Sequence, residues 1–364
     1  MKGNVNNLPM TVDGISGDSD IANLFSEKYV KLFSSVPYDN DRMLNLKHQT
    51  EKNILSCCIH GNCYNSHCIT VNDINESIKQ LKHGKSDGNT GFDSSHVIHA
   101  SNKLSVYLCL LFNVMIKFNY IPNDILVSTI IPIPKNKQSQ CNSENYGGIA
   151  LGSILGKLLD LIILKQNAHV FATDDLQFGF KPNHSTTQCT FALNEIIQYY
   201  ENNNSTIYVL MLDCSKAFDR VNYVKLFSIL VDRGLCPSVV RILLNLYTNQ
   251  SMKIKWGNSY SEKFRVFNGV KKGGVLSPIL LITYMNELFK ELRKSRIGCH
   301  IGDMYVGVLV YADDVTLLSP TLSALKSMLQ IADKFGKDYN IIFNVKKYQF
   351  LVFSSDKLLQ RNPL

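Results

Sequence analysis

The chain has 364 residues, 45% of them hydrophobic and 19% charged, with 21 glycines and 10 prolines. That composition excludes a disordered, collagen-like or fibrous chain and gives two or three subdomains, or one large mixed domain. Its 38 lysines and arginines against 30 acids leave a net charge of +8, which favours an anionic partner such as nucleic acid.

Two further exclusions concern location. The longest apolar stretch, Ser105 to Phe118, is interrupted by Asn113 and Lys117 and falls short of the roughly 18 residues a membrane helix needs. Met1 to Asp20 is polar and lacks the apolar segment of a signal peptide. An intracellular protein with no membrane partner is expected, its ten cysteines kept as thiols. Between Arg42 and Arg220 there is no arginine, so every fixed cation in that span is a lysine.

In chain order, Ile21, Leu24, Phe25, Tyr29, Leu32 and Phe33 have the spacing of an amphipathic helix. Ser34 to Thr70 then turns polar and aperiodic and reads as a loose linker. That linker carries Cys57, Cys58, His60, Cys63, His67 and Cys68 but no Cys-x-x-Cys pair, so a zinc site is disfavoured. Thr70 and Asp73 have capping-box spacing ahead of Val71, Ile74, Ile78 and Leu81. The Gly-rich turn Lys85 to Gly91 suits either a phosphate cradle or a simple helix C-cap. A long helix is expected over Ser94 to Phe118, and a strand over Ile125 to Ile133 closed by prolines.

Helices follow near Ser153 to Phe171 and Ser185 to Tyr200, with the loop Gln177-Phe-Gly-Phe-Lys-Pro182 between them. The strand Ile207 to Leu212 leads into Asp213. Helices are expected at Val221 to Val231 and Pro237 to Tyr247, and strands at Met252 to Trp256 and Lys263 to Phe267. The turn Gly269 to Gly274 opens a helix from Ser277 to Leu292. Val306 to Val310 and Val315 to Leu318 flank Tyr311-Ala-Asp-Asp314, the pattern of a hairpin tipped with acids. A helix to about Tyr339 and a final hairpin complete the chain, which has no internal repeat.

Chemistry concentrates where two apolar strands end in aspartate, Val209 to Asp213 and Val308 to Asp314. A carboxylate at the end of a buried strand is costly to desolvate unless it meets water or a cation. Two such ends side by side suit hard divalent cations, whose preferred ligands are oxygens. A pair of ions so held activates a hydroxyl and stabilises leaving pyrophosphate. An Asp-Asp dipeptide alone is more simply a turn; its company decides.

Tyr-Ala-Asp-Asp at 311–314 resembles the signature of reverse transcriptases, and other blocks match that family in order. Leu212-Asp-Cys-Ser-Lys-Ala-Phe-Asp219 resembles its first catalytic block. Gly269-Val-Lys-Lys-Gly-Gly-Val-Leu-Ser-Pro278 resembles its nucleotide-binding turn and helix. Gln177 to Pro182 with Ser185-Thr186, and Lys82 to Gly88, are similar to finger blocks of the non-LTR (LINE-type) retrotransposon branch, and Asn344-Val-Lys-Lys347 to the block after the catalytic hairpin. The likeness covers residues 70 to 353.

The resemblance implies an α/β (α+β) right-hand polymerase fold. Residues 1–70 would form a docking helix and linker, 71–205 helical fingers, and 206–364 a palm with an antiparallel sheet backed by helices. Some fingers/palm interchange is expected near 234–268. It implies RNA-directed DNA synthesis with RNA template, DNA primer and deoxynucleoside triphosphates, in the nucleus, with oligomeric state open. Asp213, Asp313 and Asp314 would hold two Mg2+ ions. Phe218 would be the steric gate that excludes a 2′-hydroxyl, and Gly273 would let the backbone approach the nucleotide. Lys135 would bind triphosphate, and Lys347 would lie near the leaving pyrophosphate.

Two departures fall in the nucleotide pocket. Asn145-Tyr-Gly-Gly-Ile149 stands where the family has Asn-Tyr-Arg-Pro-Ile, and Lys272 stands for a nucleotide-contacting glutamine. The chain also ends about 17 residues past Lys347, so no thumb, endonuclease domain or Cys/His segment is expected. The alternatives are a catalytically impaired nucleic-acid-binding remnant and a group II intron-type reverse transcriptase.

Overall fold

The computed structural model describes residues 8–59, 68–136 and 139–354. Among them no helix is long and apolar enough to cross a membrane. The chain forms two compact units, each assembled from two stretches: Met1–Val170 with Asn222–Ser277, and Phe171–Val221 with Pro278–Leu364. Residues 171–205 therefore share a unit with the strand leading into Asp213, and 222–277 lie in the other.

The first unit opens with a hairpin, β1 (Thr11–Val12) and β2 (Ile15–Ser16). Its turn residues Asp13 and Gly14 both have positive φ, 51° and 78°, the conformation that Asp-Gly favours. The main sheet has β3 (Val127–Pro134) paired antiparallel to β4 (Tyr146–Leu151) and parallel to β6 (Ser251–Trp256); β7 (Ser259–Tyr260) and β8 (Phe264–Arg265) pair antiparallel with β6. Pairing with β6 ends at Ile130, so Pro132 and Pro134 fall where β3 has a free edge, which proline tolerates. The helix Asp18–Leu32 lays Ile21, Ala22, Phe25 and Tyr29 on this sheet. Phe25 stacks on Trp256 with centroids 5.2 Å apart, and each such buried side chain contributes about 1.5–3 kcal/mol.

Three local expectations are corrected here. The span 34–70 is not a loose linker throughout, because Asn40–Ile59 is a 20-residue helix. Its buried face is Met43, Leu46, Thr50 and Ile54, a narrow stripe at helical spacing whose polar member masks the period. Thr50 satisfies its own hydroxyl by donating to the Leu46 carbonyl, 2.7 Å. The expected long helix from 94 is two, Ser94–Ile98 and Asn102–Phe118, because Asp93 caps the first and Ser101 starts the second. A short helix, Asn123–Leu126, precedes β3. The capping box at Thr70 and Asp73 is present: the Asp73 N–H donates to Thr70 Oγ1, 3.2 Å, and the Thr70 N–H to Asp73 Oδ2, 3.0 Å. The zinc question rests on residues 57–67, whose side chains lie outside the described ones.

The second unit is a four-stranded antiparallel sheet in the order β11 (Val308–Tyr311), β12 (Asp314–Ser319), β5 (Ile207–Leu212), β13 (Gln349–Phe353). The helix Thr186–Asn202 packs Ile196 and Ile197 against Val209, Leu309 and Leu318 of the sheet, the helix Leu322–Tyr339 packs on β12 and β5, and the Tyr284 hydroxyl of the helix Ser277–Ser295 donates to the Tyr339 carbonyl, 2.6 Å. A small hairpin, β9 (His300–Ile301) and β10 (Met304–Tyr305), precedes β11. Among the described residues the expected closing hairpin does not form, since β13 pairs with β5.

Candidate active site

β11 and β12 remain paired up to Tyr311 and Asp314, leaving a two-residue turn of Ala312 and Asp313. Ala312 has φ 62°, the left-handed conformation that a tight hairpin needs at its first turn position. β12 continues onto β5 with Val315 opposite Leu212. The next step along both strands therefore places Asp314 and Asp213 at neighbouring ends. Charge confirms the convergence: burial and then the Asp213 charge push the Asp314 carboxyl up, with Lys347 partly opposing. The buried Cys214 thiol is held well above its usual range by burial and then by Asp313, Asp314 and Asp213.

Lys347 is the cation that answers this charge. Its Nζ donates to both oxygens of Asp213, at 3.2 and 3.1 Å. The 3-10 turn Val345–Lys347 carries it, anchored where the Asn344 N–H donates to the Asp213 carbonyl, 2.8 Å. Among the described residues no three acidic, histidine or cysteine side chains are gathered about one point for a metal. Lys347 pairs with one of the carboxylates, that of Asp213. The donors are nevertheless all hard oxygens at adjacent strand ends, which fits a divalent cation. The pair with Lys347 is half-exposed, so it contributes only about 0–1 kcal/mol and yields readily to such an ion.

Phe218 lies on the short helix Ala217–Arg220, preceded by Lys216 at φ 54°. Its ring meets that of Phe180 edge to face, centroids 5.9 Å apart and planes at 85°. Phe180 also sits at φ 56°. Phe180, Lys216 and Ala312 are thus three non-glycine residues in the left-handed region around one site, each costing roughly 1–3 kcal/mol. Sequence reasoning missed Gln177, which the fold buries completely. Its Nε2 donates to the Ala312 carbonyl, 3.1 Å, while its Oε1 accepts from the N–H groups of Ala312, 2.9 Å, and Gly179, 2.8 Å. Its place at the head of the finger-like block Gln177 to Pro182 was the signal that could have found it.

The remaining expected residues belong to the first unit and line up along β4. The Lys135 N–H donates to the Asn145 carbonyl, 2.7 Å, and Gly147 pairs with Ile133. A side chain at 147 would find open space, its Cβ nearest to Lys135 Cε at 4.0 Å. At 148 the reverse holds: a Cβ would fall 2.5 Å from Tyr29 Oη and 2.8 Å from Ile130 Cγ2. Farther along the strand, the Ala150 N–H donates to the Lys272 carbonyl, 2.7 Å. Gly273 there has φ 104°, and a Cβ on it would sit 2.8 Å from the Ala150 oxygen, so only glycine fits this turn.

Behind the turn, Asp160, Lys157, Lys271, Tyr247 and Ser277 line a small cleft of about 30 Å³. Burial raises the Asp160 carboxyl to about 6 against the pull of Lys271. Burial likewise lowers Lys271 to about 8.

Residues 133–360 match the reverse transcriptase (RNA-dependent DNA polymerase) family, and the chain belongs to that family. Its similarity runs to retrotransposon proteins of the non-LTR kind. It is 27% identical over 256 residues to a probable RNA-directed DNA polymerase from transposon BS of Drosophila melanogaster, covering 69% of this chain and 28% of the relative. It is 24% identical over 302 residues to the RNA-directed DNA polymerase from mobile element jockey of Drosophila funebris, covering 79% and 32%. It is 28% identical over 217 residues to the Pol polyprotein of type-1 retrotransposable element R2 of Popillia japonica, covering 59% and 30%. The chain spans about a fifth to a third of the length of the curated relatives it matches.

Proposed function

We propose that this chain is the fingers and palm of an RNA-directed DNA polymerase from a non-LTR retrotransposon. It extends a DNA primer 3′-hydroxyl along an RNA template with deoxynucleoside triphosphates. The observation that carries the reading is the register that brings Asp213 and Asp314 to adjacent strand ends with Asp313 in the turn between β11 and β12. The first unit would be the fingers and the second the palm, and the work would be done in the nucleus.

Asp213, Asp313 and Asp314 would hold two Mg2+ ions, which when bound neutralise phosphate charge and make the 3′-hydroxyl a better nucleophile. Holding an ion, Asp213 would give up its contact with Lys347, whose ammonium would then be available to developing charge on pyrophosphate. The Phe218 ring would lie beneath the sugar and exclude a 2′-hydroxyl by volume. Lys135 would grip the triphosphate, and the Lys272–Gly273 turn would present backbone to the nucleotide, since nothing but hydrogen projects from Gly273.

Primer extension on an RNA template, with and without Mg2+, tests this directly. Metal-dependent DNA synthesis is expected, and its absence would overturn the reading. A second reading, a nucleic-acid-binding remnant, draws on the open space at Gly147, where no side chain reaches toward a nucleotide. RNA binding without extension would favour it.

A further inference from the structure

The segment Gln177–Phe180 touches two parts of the site that lie far apart in the sequence. Its backbone runs beside β11: the Val310 N–H donates to the Leu176 carbonyl, 3.0 Å, and the Phe178 N–H to the Val310 carbonyl, 2.8 Å. From that rail the Gln177 amide closes both hydrogen-bonding groups of Ala312. Ala312 is the left-handed residue that turns the chain into Asp313. Without that amide its peptide would be buried with neither donor nor acceptor satisfied by this segment. Gly179 then passes so close that a Cβ on it would lie 2.6 Å from Ala312 Cα. One residue on, Phe180 sets its ring edge against Phe218.

We propose that Gln177–Phe180 is a positioning element that fixes the carboxylate-bearing turn and the gate ring together. Metal affinity and sugar selection then depend on one four-residue segment. Gln177 holds the turn in the conformation from which Asp313 and Asp314 reach a common ion. Phe180 supplies the wall that stops the Phe218 ring from swinging aside when a 2′-hydroxyl presses on it. Neither residue touches the reacting atoms. The proposal rests on the polymerase reading, and the wild-type chain serves as the control that separates the two.

The test uses the full chain with two readouts: Mn2+ binding followed by the electron paramagnetic resonance of the free ion, and single-nucleotide primer extension with deoxy- and ribonucleotides. Gln177→Met keeps the shape and removes the hydrogen bonds. It should weaken Mn2+ binding by roughly 10- to 100-fold, the usual cost of losing a partner that orients a metal ligand. It should lower kcat while leaving KM for the primer–template unchanged. Phe180→Leu should leave Mn2+ binding at the wild-type value and lower the ratio of deoxy- to ribonucleotide use by about 2- to 10-fold, the size of a lost aromatic pair. Added to Phe218→Val it should have no further effect, because the ring it braces is gone.

Wild-type Mn2+ affinity and kcat in Gln177→Met would overturn the first half. An unchanged ratio in Phe180→Leu, alongside a fallen ratio in Phe218→Val, would overturn the second. Phe180 is 43% exposed, so its truncation spares the core, and that arm decides even where Gln177→Met does not fold. A wild-type chain that neither binds Mn2+ nor extends a primer would overturn the polymerase reading and this proposal with it.

Discussion

Replacing Gly147 with arginine restores the family's residue at a position the structure leaves open. The nearest atom to the new Cβ is Lys135 Cε at 4.0 Å, so the Cβ meets no clash, but the side chain leaves the backbone beside a like charge. A charge-assisted contact to a phosphate is worth about 1.5–3 kcal/mol. Repulsion from the neighbouring Lys135 offsets up to about 1 kcal/mol of that, the size of two unit charges about 4 Å apart in water. The net gain of about 0.5–2 kcal/mol corresponds to a roughly 2- to 30-fold lower KM for the nucleotide. The family's companion proline at 148 is a different matter, because Tyr29 already occupies the space its Cβ would need. Overpacking of this kind costs about 1–3 kcal/mol, or roughly 1–4 °C in melting temperature at this size. The single variant should therefore outperform Gly147→Arg with Gly148→Pro. Steady-state primer extension across nucleotide concentrations, with thermal unfolding of the same preparations, measures both effects. Lys272→Gln should harm the present sequence and help the Gly147→Arg variant if the lysine now supplies the missing charge. An unchanged nucleotide KM in Gly147→Arg would show that residues 145–149 do not face the nucleotide.

Asp213→Asn and Asp313→Asn should each abolish polymerisation and keep the far-ultraviolet circular dichroism of the wild type, since amide replaces carboxylate with little change of shape; extension by either would refute the assignment. Phe218→Val should admit ribonucleotides, read as a fall in the deoxy-to-ribonucleotide ratio by orders of magnitude, and an unchanged ratio would make Phe218 a packing residue only. The Asp160 carboxyl, raised to about 6 from an ordinary 3.8, binds its proton more tightly folded than unfolded. Its contribution is present below about pH 4 and lost as pH rises through about 6. Thermal stability should decline across that window, and Asp160→Asn should remove that part of the slope; an identical slope in the variant would refute the linkage.

What the sequence made legible was local. The acid-tipped hairpin, β5 running into Asp213, and the glycine turn at 269–274 each combine a short apolar run with residues of restricted conformation, and each lies where its residues indicated. The helix Asn40–Ile59 was not legible, because a single stripe of Met43, Leu46, Thr50 and Ile54 is blurred by polar neighbours and by the exposed Leu44 and Leu55. The role of Gln177 was hidden for another reason: the block it opens gives no sign of a side-chain partner, and that partner, Ala312, is 135 residues away. Nor could the pattern show that β3 would pair in parallel with β6, since strand direction is decided by packing between distant segments.

The two units are threaded through one another along the chain, and this governs how the protein can be made. Synthesis delivers most of the first unit by residue 170, yet its sheet lacks β6 until the ribosome has passed residue 256. The second unit begins at 171 but waits for β13, at 349–353, to pair with β5. Each nascent unit thus holds unpaired strand edges while the other is being translated, and a parallel pairing between distant strands is intrinsically slow to form. No cut between residues 171 and 277 can release either unit whole, so a shortened version must be built by joining segments rather than by trimming the ends.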